Sequence, residues 1–246
     1  MIRPVCLVDL DDTLFSTAAK HPESEQPFLK QVTTARNGRH SMMNRPQAAL
    51  VDWLVATTDL IPVTARGSEA FKSVDLPFTA GAILSNGALI LLPDGSTDPL
   101  WREQIAEDLE PEQQRLGLVL QDANRFAEEL GISIRSWIVR EGHVGTYAVV
   151  KQNDDEKGSK LSLLATLPNT PTNWTVHLNG NNLAFIPSAI SKQRAVSHIL
   201  AKIRQCNPER PIIGLGDSLT DIPFLSQCDW WGAPNRSQIT SRLLAC

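Results

Sequence analysis

The chain has 246 residues with 42% hydrophobic side chains, enough for one large packed domain or two modest ones. Lys and Arg number 23 against 27 Asp and Glu, a formal net charge of −4, so no basic excess recommends a nucleic acid as partner. Cys6, Cys206, Cys228 and Cys246 are scattered without metal-ligand spacing, no apolar run approaches the ~18 residues of a membrane span, and Met1-Ile2-Arg3-Pro4 leaves no room for a signal peptide. A cytoplasmic protein with reduced thiols and no membrane partner is therefore expected.

Val5 to Val8 is an apolar run of the length of a buried parallel strand, and it stops at Asp9-Leu10-Asp11-Asp12-Thr13. In open parallel sheets ligands bind beyond the carboxyl ends of the strands. Three crowded carboxylates there are costly to ionise together unless a cation lies between them, which implies a hard divalent ion. The alternative is that Asp11, Asp12 and Thr13 form only a turn and a helix cap.

Phe15 to Arg45 is polar, carries His21, Lys30, Arg36, Arg39, His40 and Arg45, and reads as an irregular flap whose cations could overhang the acidic strand end. Pro46 to Thr57 has helical spacing behind a possible Asn44 cap, and Leu60 to Val63 is a second strand that ends at Thr64-Ala65-Arg66. A hydroxyl and a guanidinium at a strand end suit phosphate oxygens. Ala82 to Leu84 is another strand closed by Ser85-Asn86-Gly87-Ala88, and Leu89 to Leu92 with Pro93-Asp94-Gly95 suggests a hairpin.

The pattern then changes. A helix over Glu112 to Leu130, a hairpin of Ile132 to Val139 with Tyr147 to Val150, a second helix over Lys157 to Leu167, and a second hairpin of Trp174 to Leu178 with Leu183 to Ile186 predict an antiparallel sheet with helices on one face. The α/β alternation resumes with a helix over Ser191 to Ile203 and a strand over Pro211 to Leu215, closed by Gly216-Asp217-Ser218-Leu219-Thr220-Asp221. A short helix from Ile222 to Ser226, a last strand at Trp230 to Gly232 and a terminal helix from Ser237 to Leu244 complete it, the two tryptophans being read as core packing. The fold class is α/β, a Rossmann-like parallel-sheet core of residues 1–88 and 187–246 with an inserted α+β domain over 89–186.

Asp9 with Asp11, Thr64, and Asp217 with Asp221 all fall at strand ends that emerge on one sheet edge, and Lys192 opens the helix that follows the insert. Together they describe a site for a metal ion and a phosphate. Val8-Asp9-Leu10-Asp11-Asp12-Thr13-Leu14, Pro62-Val63-Thr64-Ala65-Arg66, Ser191-Lys192 and Gly214-Leu215-Gly216-Asp217-Ser218-Leu219-Thr220-Asp221, in this order, resemble the four signature blocks of the haloacid dehalogenase-like hydrolase superfamily. Ser85-Asn86-Gly87-Ala88 and the large insert before Lys192 are similar to the branch of Cof-type, sucrose-phosphate and mannosylphosphoglycerate phosphatases. Thr220 departs from that branch's asparagine, Ala65 from its glycine, and Asp12 from a common glycine.

The resemblance implies a phosphatase in which Asp9 is the nucleophile and Asp11 the acid and base, with Thr64 and Lys192 holding the transferred group. It implies Mg²⁺ bound by Asp9, the Asp11 carbonyl, Asp217 and Asp221, and substrate contacts from Thr64, Arg66, Asn86, Gly87 and Lys192. The insert then acts as a cap that selects a small phosphate ester, a sugar or sugar-acid phosphate. Arg140, His143, Lys151 and Asn179 to Asn182 are the cap's candidate contacts, unless they only decorate solvated hairpins. Two other readings are a phosphomutase of the phosphomannomutase type and a non-catalytic phospholigand-binding module.

Overall fold

β1 (Val5–Val8) is a strand buried on both faces, all four side chains at 0% exposure, which is why its sequence shows no alternation. Burying each of its larger apolar side chains stabilises the fold by roughly 1.5–3 kcal/mol. The computed structural model describes every residue except 1, 35–37, 39, 156 and 246; Arg36, Arg39 and Cys246 therefore lie outside the described residues. The chain divides into two units, Met1–Trp101 with Ser191–Cys246, and Arg102–Ile190.

In the first unit, the segment after β1 is not an irregular flap. β2 (Ser16–Thr17), β3 (Lys30–Thr34) and β4 (His40–Met43) form a three-stranded antiparallel sheet in the order β2-β4-β3. Val32 and Met43 explain it: they join Leu10, Leu14 and Phe15 in the apolar core, an anchor that the polar composition of the segment conceals. Three of the cations expected to overhang the site are engaged locally. His21 Nε2 lies 3.0 Å from Ser16 Oγ, His40 Nδ1 3.0 Å from Thr34 Oγ1, and the Arg45 guanidinium 4.1 Å over the Phe28 ring.

α1 (Arg45–Thr57) starts with a capping box in which Asn44 Oδ1 accepts from Gln47 N and Gln47 Oε1 from Asn44 N, both at 3.0 Å. β5 (Asp59–Pro62) pairs with β1 in parallel, and α2 (Ser68–Phe71) follows. β6 (Ala82–Leu84) makes a parallel bridge from Ile83 to Val63 and a hairpin with β7 (Leu89–Leu91).

α3 (Pro99–Leu109) was not expected from the sequence, although Asp98 caps it by accepting from Trp101 N at 3.2 Å and Trp101, Ile105 and Leu109 are buried at four-residue spacing. It carries the chain into the second unit, where α4 (Gln113–Glu129) buries Leu116, Val119, Ala123 and Ala127. That face meets Ala148, Val150, Leu183 and Phe185 of an antiparallel sheet built from β8 (Ile134–Glu141), β9 (Val144–Gln152), β10 (Thr175–Leu178) and β11 (Leu183–Ile186), in the order β10-β11-β9-β8.

The helix expected over Lys157 to Leu167 reduces to one 3₁₀ turn at Leu161–Leu164. Asp155 takes the backbone N–H groups of Lys157 and Ser159 at 2.8 and 3.0 Å, and Gly158 has φ +64°, so the chain turns where a helix would need to begin. Of the candidate contacts in this unit, Asn181 is used structurally. Its side chain accepts from Gln152 N at 2.6 Å and donates to Gln152 O at 2.8 Å.

The chain returns through α5 (Lys192–Cys206), β12 (Ile212–Leu215), α6 (Ile222–Leu225), β13 (Trp230–Gly232) and α7 (Gln238–Leu244). The parallel sheet of the first unit has the order β13-β12-β1-β5, so the Asp9, Thr64 and Asp217 ends do share one edge. Trp230 and Trp231 are not core residues: on the edge strand they are 63% and 45% exposed. The described cysteines Cys6, Cys206 and Cys228 are free, and among the described residues no helix is long and apolar enough to cross a membrane.

Candidate active site

The ladder that holds β1 continues past its last residue. Asp9 N donates to Leu215 O at 2.9 Å and Val63 N to Val8 O at 2.7 Å, which fixes the Asp9 backbone between the ends of two neighbouring strands. The chain then reverses: Asp12 takes φ +66°, its N–H bonds Phe15 O at 2.7 Å, and Leu14 N bonds Leu10 O at 3.0 Å. The expected turn exists, and it is the turn that aims Asp9. Just past β12, Gly216 lets Asp221 close in, since a Cβ there would sit 2.9 Å from Asp221 Cβ. Asp221 is held by a second capping box, with its Oδ2 accepting from Ser218 N at 3.1 Å.

These elements bring Asp9, Asp217 and Asp221 together, one carboxylate oxygen of each lying within 4.8 Å of the others, all buried. Lys192 Nζ sits between two of them, 2.6 Å from Asp9 Oδ1 and 2.7 Å from Asp221 Oδ1. Its helix is capped by Ser191, whose Oγ accepts from Arg194 N at 3.4 Å. Thr13 Oγ1, not expected as a site group, lies 3.5 Å from Asp9 Oδ2 and 3.4 Å from Asp217 Oδ1. Its position four residues after Asp9, across the tight turn, was the available signal.

The electrostatics show too little positive charge. Burial raises the Asp9 carboxyl to about 7, Lys192 pulls the other way, and repulsion from Asp221 and Asp11 adds to the rise. Burial also raises Asp217, to about 6, with repulsion from Asp221 and Asp12 outweighing Lys192 and Thr13. Burial would lower the Lys192 ammonium, but Asp9 and Asp221 hold it above the usual lysine range. Three buried carboxylates thus share one ammonium. An all-oxygen donor set with excess negative charge fits a hard divalent cation.

Asp11 stands apart from this cluster. Its carboxylate is held by Arg66 through two bonds of 2.7 Å, from Nε to Oδ2 and from Nη2 to Oδ1. Arg66, expected at a phosphate oxygen, is thus committed to Asp11 and lies over the Phe15 ring at 5.1 Å. Thr64 is 1% exposed, and its Oγ1 accepts from Arg66 N at 3.1 Å. Asn86 and Gly87 belong to a left-handed turn with φ of +57° and +98° that supports the Thr64 loop, Asn86 N donating to Thr64 O at 3.0 Å.

No protein-family model and no curated protein matches this sequence. Solved structures do match its fold. The chain is similar to the sucrose-phosphatase of Synechocystis in complex with sucrose and phosphate, with TM-score 0.57 and 14% identity over 99% of this chain and 97% of that one. It is similar to the C-terminal domain of C. albicans trehalose-6-phosphate phosphatase, with TM-score 0.58 and 15% identity over 91% and 73%. A Thermotoga maritima protein gives TM-score 0.53 and 15% identity over 100% and 98%.

The chain shares its fold with these solved structures. The β13-β12-β1-β5 sheet is the parallel core of that fold, and Arg102–Ile190 is the unit inserted before the helix that opens at Lys192. The inserted unit spans Arg102–Ile190 where the sequence pattern implies 89–186; at its start, the β6–β7 hairpin and the first turn of α3 belong to the first unit.

Proposed function

We propose that this chain is a Mg²⁺-dependent phosphomonoesterase acting on a small phosphorylated metabolite, a sugar or sugar-acid phosphate. The observation that carries this reading is Lys192 bridging Asp9 and Asp221 beside Asp217 at the carboxyl edge of a parallel sheet. The sugar-phosphate class is supported by the fold's likeness to phosphatases named for sucrose phosphate and trehalose-6-phosphate, and by the presence of a large inserted unit, to which this reading assigns the role of a cap.

In the reaction, Asp11 takes up a proton as one of its oxygens leaves the Arg66 fork; an Asp9 carboxylate oxygen attacks phosphorus and the ester oxygen leaves with that proton, giving an aspartyl-phosphate and the free alcohol. Asp11 then accepts a proton from water as the water attacks that phosphorus, releasing orthophosphate and regenerating Asp9. Lys192 and the Thr64 hydroxyl hold the non-bridging oxygens, which gather charge in both displacements. Asp9, Asp217, Asp221 and the Asp11 carbonyl would hold Mg²⁺, which when bound neutralises charge on the transferring group.

The test is phosphate release from a panel of sugar and sugar-acid phosphates with Mg²⁺, for the wild-type chain and Asp9→Asn. The expected result is turnover by the wild type and loss of at least about a thousandfold in the variant, which keeps the size of the side chain and loses the nucleophile. Full activity in Asp9→Asn refutes the mechanism. Formation of an isomeric sugar phosphate with a bisphosphate requirement identifies a mutase, and silence across the panel favours a binding module.

A further inference from the structure

The chain leaves the first unit after Trp101 and re-enters it at Ser191, and both crossing points rest on Gly87 of that unit. The Trp101 indole Nε1 donates to Gly87 O at 2.9 Å, with both residues buried. On its other side Gly87 meets α5: a Cβ there would lie 2.4 Å from Ser191 O and 3.1 Å from Ala195 Cβ. Only a residue without a side chain allows that approach.

Gly87 ends a run of three left-handed residues, with Ser85 at φ +52° and Asn86 at +57°, a conformation that side-chain-bearing residues seldom adopt in series. The run is held by Ser85 N on Arg66 O at 2.8 Å and Asn86 N on Thr64 O at 3.0 Å. One turn therefore carries the Thr64–Arg66 loop and supports the helix start that carries Lys192. Trp101 touches that helix directly as well, its ring 5.1 Å from the His198 ring and 5.7 Å from the Arg194 guanidinium.

We propose that Trp101 is a positioning residue for Lys192, acting through the Gly87 carbonyl and the first turn of α5; this rests on the reading of Lys192 as the group that holds the transferred phosphate. Lys192 reaches Asp9 and Asp221 at 2.6 and 2.7 Å from the first residue of a helix, so a small displacement of that helix start changes both distances. The indole bond fixes the Gly87 peptide plane on which Ser191 sits. Without it the turn and the helix start are free to separate.

The experiment is a double-mutant cycle on the full chain with Trp101→Phe, which removes the N–H and retains an aromatic ring, and Lys192→Met. In metal-free protein, Trp101→Phe is expected to lower the folding constant from urea unfolding about tenfold with Lys192 present and less than threefold in Lys192→Met, where the ion pairs are already gone. With Mg²⁺ and an ester that the wild type hydrolyses, kcat is expected to fall about tenfold with KM within twofold. Equal losses of stability in both backgrounds, or an unchanged kcat, overturn the proposal.

Should Trp101→Phe not fold, the cycle is run with Trp101→Tyr, which also lacks the indole N–H, and the same outcomes decide. A coupled cycle in a chain that hydrolyses no phosphate ester removes the phosphatase reading and leaves the positioning of Lys192 standing.

Discussion

Arg66 grips the Asp11 carboxylate with two bonds of 2.7 Å from one face of its guanidinium fork, while Asp9, two residues earlier, is gripped by Lys192. Two neighbouring acids thus have separate cations. The Arg66 side chain is 15% exposed and that of Asp11 51%, so the arginine is the fixed partner and the acid is the one oriented by it. Phe15 beneath the guanidinium and Ser41 Oγ at 3.5 Å from Nη2 hold the fork in place.

Arg66→Gln is expected to lower kcat about 10- to 100-fold by leaving Asp11 without its orienting partner. Arg66→Lys, which keeps the charge and loses the two-point geometry, is expected to fall between the two. Steady-state kinetics on an ester that the wild type hydrolyses decides it, and a glutamine variant within twofold of wild type removes Arg66 from the reaction.

From the shortage of positive charge at Asp9, Asp217 and Asp221, divalent metal is expected to stabilise the folded state. Saturating Mg²⁺ at about 100 times its dissociation constant adds about 2.7 kcal/mol. For a chain of this size that raises Tm by roughly 5–10 °C. Calorimetry with and without chelator measures it, and Asp217→Asn is expected to remove most of the rise. A wild-type Tm indifferent to Mg²⁺ contradicts the metal assignment.

The strands of the parallel core were legible because burial on both faces forces continuous apolar runs, and the acids that end them stand out against such runs. Asn44 was legible for a similarly local reason, since caps restrict residue type. The small β2-β4-β3 sheet was not, because only Val32 and Met43 anchor it among polar neighbours. Nor was the Arg66–Asp11 pair. A guanidinium at a strand end suits phosphate and carboxylate equally, and only the fold puts residue 66 beside residue 11. The failed helix near Lys157 shows a local effect overruling a period, with Asp155 and Gly158 turning the chain before the helix can nucleate.

Trp230 and Trp231 are exposed on edge strand β13, so their contribution to stability is small. The double variant Trp230→Thr, Trp231→Thr retains a strand-favouring side chain at both positions. Its urea midpoint is expected to correspond to a change within about 0.5 kcal/mol of wild type. A loss of several kcal/mol contradicts the edge placement.

Asp98 gives the clearest pH prediction, because its side chain is 1% exposed and accepts from Lys202 Nζ at 2.5 Å and from Trp101 N at 3.2 Å, with His198 Nε2 at 3.1 Å. Burial alone would raise its pKa. The Lys202 bond, then the Trp101 N–H and His198, outweigh burial and bring it down to about 2. A carboxyl depressed in the folded state contributes stability that is fully present above its unfolded pKa, near 3.8, and is lost as pH falls toward 2. Asp98→Asn leaves Lys202 without its partner and is expected to cost roughly 1–3 kcal/mol at pH 7. The gap between wild type and variant should hold from pH 7 down to about 4 and narrow between about 4 and 2. Urea unfolding across that range reads it directly, and a gap that stays constant down to pH 2 means that the Asp98 charge does not stabilise the fold.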